Sequence, residues 1–186
     1  MKYLIFLFSV LVAANSYTQT LVEFKLQRNG YFVAPDGKPY IVVEYDGKTV
    51  QELYSLVKSN VMTLYKSPQN IMSENYPKEI SIQALSNILE ESYKFGEGFV
   101  SYRAYYNYIF HFKDGKIKID APLIDPNLYV TSTGATYSKT FESLIKGWFD
   151  KNGEIKKKKL NNVRKIENTF NLPINYLLGS SNDEDW

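Results

Sequence analysis

The clearest pattern along the chain is an alternation of apolar and polar residues between Phe99 and Ile119. The apolar face of its first half repeats at period two, through Tyr102, Ala104, Tyr106, Tyr108, Phe110 and Phe112. Asp114-Gly115 then predicts a two-residue type I′ turn, whose central residues both need positive φ. Ile117 and Ile119 continue the apolar face on the way back. The pattern predicts a β-hairpin with one apolar and one polar face.

Before this hairpin, the pattern changes from strand to helix and back. Residues 39–45 are β-branched and aromatic and lie between two Asp-Gly turns, which predicts a strand. Thr49 and Glu52 fit a capping box, and apolar residues then recur at spacings of three and four up to Tyr65. This stretch therefore predicts a helix over 50–65, which Ser67-Pro68 ends.

Two stretches between these elements are less regular. Residues 79–84 alternate and predict a further strand, whereas residues 85–95 fit either a strand or a helix. Residues 18–38 are ambiguous, with a short strand near Leu21–Leu26 and turns at Asn29-Gly30 and 35–37.

After the hairpin, the chain is predicted to be mainly helical. Residues 121–134 hold two prolines and several turn formers, and we expect a long loop. Apolar spacing predicts a second helix over 138–149 and a third over 154–170, which Leu172-Pro173 breaks. The acidic end, 180–186, is predicted to be disordered.

The order of these elements indicates an α+β fold. Because only one face of the hairpin is apolar, the sheet needs a cover on one side, and the amphipathic helices supply it. We predict a two-layer sandwich of a mostly antiparallel sheet with helices on one face, forming a single domain over 19–179 with a C-terminal helical extension.

The N-terminus has the features of an export signal. Lys2 precedes an apolar run over 4–12, and small residues follow it, as a signal peptidase requires. The run is about half of the ~20 residues that cross a bilayer. We therefore predict a signal peptide over 1–18, no transmembrane helix after its removal, and a periplasmic or extracellular protein.

The composition narrows the chemistry that the chain can perform. The 186 residues include no cysteine, which excludes disulfides, thiolate metal sites and a thiol nucleophile. Without Lys2, 21 basic residues face 20 acidic ones, so no net field attracts nucleic acid. Neither a dinucleotide-binding nor a phosphate-binding glycine loop is present. We predict no cofactor and no metal.

Several of these motifs together resemble a family of exported Bacteroidetes proteins that carry a domain of unknown function with a TBP-like fold. The likeness rests on Gly47-Lys48-Thr49 followed by Glu52-Leu53-Tyr54, on the strand Glu79–Ile82, and on a tyrosine-rich strand running into Lys113–Lys116. It covers about 39–125 and the helix from Ser138. The resemblance implies a β-α-β4-α order, and the third helix goes beyond it. It implies no DNA binding and no known activity.

The polar face of the hairpin is the main candidate for a binding surface. Its predicted site residues are Arg103, Tyr105, Asn107 and His111, with Lys116 and Lys118 across the hairpin. Tyrosine, arginine and asparagine are favoured in binding surfaces, since tyrosine offers contact area at low entropy cost. An ordinary hydrated sheet face is the alternative, and it is slightly favoured.

Catalysis has little support in the sequence. His111 is the only histidine and lies in the middle of a strand, so a structural role is favoured. Glu90-Glu91 and the pair Asp120 and Asp125 could serve a glycosidase, but neither spacing forces the carboxylates together.

These observations lead to three hypotheses, in this order. The first is a non-catalytic binding or accessory domain that uses the open sheet face to hold a protein, peptide or glycan of the cell envelope. The second is a surface-associated protein that docks through a basic patch, Lys156, Lys157, Lys158 and Lys159, at the start of the third helix. The third is a hydrolase, which needs a deep pocket around His111 or two carboxylates.

Overall fold

The structure is a computed structural model that describes residues 21–94, 98–132 and 139–180. The predicted signal peptide and residues 181–186 lie outside the described residues. The strands are β1 Lys25–Leu26, β2 Phe32–Val33, β3 Tyr40–Glu44, β4 Met72–Asn75, β5 Glu79–Leu85, β6 Glu90–Lys94, β7 Gly98–Lys113, β8 Lys116–Asp120 and β9 Leu123–Ser132. The α-helices are α1 Val50–Leu64, α2 Phe141–Ile145 and α3 Leu160–Leu177.

The main sheet is organised around β7, which is 16 residues long. Its strand order is β3-β8-β7-β5-β4, and all described pairs are antiparallel. Because β7 outreaches β5 and β8, its first half pairs instead with β6 on one side and β9 on the other. The predicted hairpin is thus the centre of the sheet, and the helices make the predicted α+β sandwich with it.

The core lies between the inner face of the sheet and helices α1 and α3. The predicted apolar face of β7 is buried throughout, from Tyr102 to Phe112, and Ile117 and Ile119 of β8 are fully buried. Helix α1 begins at the predicted capping box, where the Thr49 side chain accepts from the Glu52 N–H and Glu52 bonds back to the Thr49 N–H. These local predictions are confirmed.

The predicted type I′ turn is wrong in one respect. Gly115 has φ +73°, but no described residue other than glycine has positive φ, so Asp114 does not. The Asp114 carboxylate instead accepts a hydrogen bond of 2.8 Å from the N–H of Val50. A carboxylate is stabilised at a helix N-terminus because the first N–H groups are unpaired there. The turn therefore fixes the start of α1 on the end of the hairpin.

The long loop predicted over 121–134 is also wrong. Leu123–Ser132 is strand β9, which pairs with β7, and Leu128 on its inner face is buried. The register shifts between Ala104 and Tyr106, opposite the stretch that contains Pro126. Proline is tolerated at such an irregularity because its missing N–H is not needed in the ladder. Likewise, the undecided stretch 85–95 contains strand β6.

The C-terminal helices differ from their predicted bounds. The predicted helix 138–149 is the short α2 followed by a 3₁₀ turn at Lys146–Trp148, and its apolar residues are buried as expected. Helix α3 does not break at Pro173 but runs to Leu177. Residues beyond the proline, including Ile174 and Leu177, are fully buried, and their burial outweighs the ~3 kcal/mol cost of a proline in a helix.

Helix α3 also holds the extended N-terminal segment, residues 22–26. Three of its side chains, spaced four residues apart, form hydrogen bonds with the backbone of every second residue in that segment. The pairs are Asn175 with Val22, Asn171 with Phe24, and Glu167 with Leu26, and each asparagine both donates and accepts. Four residues of helix rise ~6.0 Å and two residues of strand ~6.6 Å, so the two repeats match. The segment is thereby docked along the helix like a strand on a sheet edge.

Candidate functional site

The outer face of β7 is the face that turns away from α1 and α3. Tyr105 on this face is 44 % exposed, whereas Arg103, Asn107 and His111 are half-buried. The structure therefore brings four of the predicted site residues onto one open surface, where they fall into two groups, one near the middle of β7 and one near its end.

The first group, called here the tyrosine patch, consists of Arg103, Tyr105, Leu123 and Tyr129. Tyr129 of β9 lies directly opposite Arg103, and Leu123 lies opposite Asn107. The exposed fractions of Tyr129 and Leu123 are 49 % and 51 %. Directly opposed side chains on one face of an antiparallel pair have Cβ atoms ~5 Å apart. The patch therefore places Tyr129 across from Arg103, with Tyr105 two residues further along β7 on the same exposed face.

Arg103 has no partner among the described residues. Its Nε is covered by neighbouring atoms and makes no hydrogen bond, and none of its nitrogens takes part in a described ion pair. Its terminal nitrogens are not among the covered, unbonded atoms, so part of their surface reaches solvent. Arg103 therefore carries a positive charge that no described side chain neutralises.

The second group, called here the histidine cluster, consists of Glu79, His111, Lys118 and Asp120. His111 Nε2 lies 2.9 Å from Asp120 Oδ2, and His111 Nδ1 lies 3.3 Å from Glu79 Oε2. Lys118 Nζ lies 2.9 Å from Asp120 Oδ1 and also over the ring of Tyr40. Partial burial raises the pKa of Asp120, but the hydrogen bonds and charges of Lys118 and His111 outweigh it, and the pKa is lowered overall.

The two groups differ in whether they present unpaired polar groups that a ligand could bind. In the histidine cluster, each side chain already has a partner within the cluster, at 2.9–3.3 Å. Asn107, which lies between the groups, accepts a hydrogen bond of 2.9 Å from the Ser81 hydroxyl. Lys116 is exposed at the far end of β8, opposite Glu44. The predicted site residues therefore do not form one site, and only the tyrosine patch presents an unpaired charge with exposed rings.

Asp120→Asn is expected to lower stability at neutral pH and to flatten its acid dependence. The pKa of Asp120 is lowered in the folded state, so its contribution is present above the unfolded value of about 3.9 and is lost as the pH falls through the folded value. Urea unfolding at pH 7 and pH 3 measures this. Asp46→Asn, at an exposed turn, is the control, and an equal acid loss in both variants would contradict the expectation.

A catalytic role for His111 would require a pocket around it. Two clefts, of about 390 and 460 Å³, lie at the β1–β2 turn and between residues 23–25 and the start of α3, and His111 lines neither. Of the proposed carboxylate pairs, Glu90 bonds Lys139, and Asp125 accepts from the N–H of Asn127. Among the described residues, no group of three or more His, Cys, Asp or Glu could hold a metal ion.

The basic patch lies before α3 rather than on its face. Lys157–Lys159 form a 3₁₀ turn, and α3 begins only at Leu160. Lys156 Nζ donates to the backbone oxygen of Gly147, and Lys159 Nζ lies 5.8 Å from the centre of the Trp148 ring. Two of the four lysines therefore have contacts within the domain, whereas Lys157 and Lys158 are exposed. None of the helices in the described ranges is long and apolar enough to cross a membrane.

Sequence reasoning missed Tyr129 and Leu123 because β9 was predicted to be a loop. The alternation of apolar and polar residues over 128–131 was the available signal, and the two prolines outweighed it. Glu79 was assigned to the correct strand, but its position beside His111 depends on the register of β5 against β7, which the sequence does not encode locally.

Comparisons with known proteins identify structural relatives. No family model and no curated protein matches the chain. A TBP-like protein from Parabacteroides distasonis shares 13 % identity, with a TM-score of 0.46, over 75 % of this chain and 86 % of that one. A DUF4468 family protein from Bacteroides ovatus shares 10 % identity, with a TM-score of 0.47, over 91 % and 95 %. Both are Bacteroidetes proteins and agree with the resemblance seen in the sequence, and at these values they carry no argument about what this chain binds.

Proposed function

We propose that the protein is an exported, non-catalytic binding or accessory domain that holds a protein, peptide or glycan of the cell envelope on its open sheet face. The observation that carries this proposal is the tyrosine patch, in which Arg103 has no partner and both flanking tyrosines are about half exposed. Export rests on the predicted signal peptide over 1–18.

The exposure of the patch favours binding over a purely structural role. The tyrosines on the inner face, Tyr102, Tyr106 and Tyr108, are buried, and the last two contact Phe170 of α3. Tyr105 and Tyr129 are about half exposed on the outer face, where Tyr129 lies opposite Arg103 and Tyr105 follows Arg103 by two residues. Tyrosine and arginine are the side chains that most often dominate interfaces, because they supply a large contact area and directional hydrogen bonds.

Docking through the lysines has weaker support, because two of them are already engaged within the domain. A hydrolase has weaker support as well. His111 is held between two carboxylates on a half-exposed sheet face, where water is not excluded from a reacting group.

The proposal is tested by comparing three forms of the protein on an array of peptides and envelope glycans. The variant Tyr105→Ser with Tyr129→Ser removes both rings from the patch, and we expect it to lose about tenfold or more of the binding to each positive member. The protein is purified after export from a bacterial host, so that its mass also shows whether the leader was removed.

Tyr31→Ser is the matched control. Tyr31 is 65 % exposed on the β1–β2 turn, away from the patch, and its loss should leave binding unchanged. Equal array signals from all three forms would contradict the proposal that the open face is the binding surface. Circular dichroism of each variant verifies that the fold is kept.

A further inference from the structure

We infer that the partner of the tyrosine patch is a protein segment that presents a side-chain carboxylate to Arg103. This inference rests on the proposed function and narrows it from any envelope partner to one chemical class. It follows from the unpaired state of Arg103, its position on a sheet face, and the apolar residues around it.

The state of Arg103 determines the charge of the partner. A guanidinium presents donors in a rigid planar fork that fits a carboxylate with two parallel hydrogen bonds. Lys118 on the same face already has its carboxylate, Asp120, at 2.9 Å. Glu91, which pairs with Ser101 in the neighbouring strand, is exposed and forms no ion pair with Arg103. The open position at Arg103 therefore matches a carboxylate brought by another molecule.

Part of the Arg103 side chain is already packed, so less of it has to be ordered on binding. Its Nε is covered by neighbouring atoms and makes no hydrogen bond. Fixing a long flexible side chain at an interface costs conformational entropy when the side chain is mobile beforehand. A preformed arginine avoids much of that cost, as binding sites generally require.

The surroundings of Arg103 favour a protein over a small molecule or a glycan. Sites for small molecules are concave, and Arg103 lines neither of the two clefts described above. The patch is a sheet face whose exposed residues include Leu123 at 51 %, and Phe99 on the same face is 40 % exposed. Apolar side chains of this kind are buried by apolar groups of a protein partner, with the charge pair enclosed among them.

The test uses two short peptides with blocked termini and a fluorescent label. One alternates glutamate with tyrosine, and the other replaces every glutamate by glutamine, so that only the carboxylates differ. Fluorescence anisotropy measures their affinity for the full chain, for Arg103→Gln and Arg103→Lys, and for Arg164→Gln, an exposed arginine on α3 that serves as the control.

We expect the glutamate peptide to bind the unaltered protein about tenfold or more tightly than the glutamine peptide. Arg103→Gln should remove that preference, Arg103→Lys should restore it in part because lysine keeps the charge without the fork, and Arg164→Gln should leave it intact.

Two results overturn the inference. If both peptides bind equally and the serine variant of Tyr105 and Tyr129 loses both, the partner needs no carboxylate, and the proposed function stands. If neither peptide binds in a saturable way, a carboxylate-bearing protein segment is excluded as the partner. The proposed function is then tested by the array of peptides and glycans alone.

Discussion

Phe170→Ala is expected to lower the free energy of unfolding by about 3–5 kcal/mol. Phe170 is fully buried in α3, with its ring centre 5.4 Å from that of Phe32 and 5.6 Å from that of Tyr106. Its backbone oxygen also accepts the hydroxyl of the buried Tyr108 at 2.9 Å. The ring thus joins α3, the β1–β2 turn region and the inner face of β7, and its removal leaves a cavity that three elements line.

Urea unfolding followed by circular dichroism measures this loss. Leu172→Ala is the matched control, because Leu172 lies two residues further along α3 and is 51 % exposed. Its replacement should change the free energy by less than about 0.5 kcal/mol. A loss below about 1 kcal/mol for Phe170→Ala would show that α3 does not pack on the sheet in solution.

The parts of the fold that could be predicted from sequence are those with local causes. The alternation from Tyr102 to Phe112 specifies both a strand and its buried face, because the side-chain period of a strand is two. The capping box at Thr49 and Glu52 acts within one turn of the helix, so four residues are enough to identify it.

The parts that were missed depend on contacts between distant residues. A proline is normally a helix breaker, and only the burial of Ile174 and the bond from Asn175 to Val22 show why α3 continues past Pro173. Likewise, Pro126 indicates a loop until the irregular pairing with β7 is known. A rule based on neighbouring residues cannot weigh a stabilising contact more than a hundred positions away.

The residues of the candidate site divide in the same way, into those with local sequence signals and those placed by distant contacts. The polar row on β7 was accessible because it is the complement of the apolar face of one strand. Tyr129 and Leu123 could not be predicted to lie on this face, because they come from β9. The separation of His111 from Arg103 into two groups depends on which strands lie beside each residue. Periodicity therefore identifies the face of a sheet, whereas register determines which residues on that face can act together.

Asn171→Ala combined with Asn175→Ala is expected to lower the free energy of unfolding by about 4 kcal/mol or more, because four buried backbone groups lose their partners. Each asparagine bonds both the N–H and the carbonyl of a buried residue, Phe24 or Val22, at 2.7–2.9 Å. Alanine leaves these backbone groups buried without partners, and each unsatisfied group costs about 1–3 kcal/mol. The N-terminal segment should consequently detach from α3 before the sheet unfolds, which hydrogen exchange at residues 22–26 measures.

Glu167→Gln is the control that separates hydrogen bonding from charge. Burial raises the pKa of Glu167 despite the bond from the Leu26 N–H and the charge of Lys25, so its ionisation weakens the fold as the pH rises above the unfolded value of about 4.3. Glutamine keeps a hydrogen-bond acceptor without the cost of a buried charge. The free energy of unfolding of Glu167→Gln at pH 7 should therefore equal or exceed that of the unaltered protein, and the difference between the two should shrink near pH 4. If the alanine pair leaves exchange at residues 22–26 unchanged, the matched repeats of helix and strand do not hold the segment, and the side-chain ladder is a consequence of packing rather than its cause.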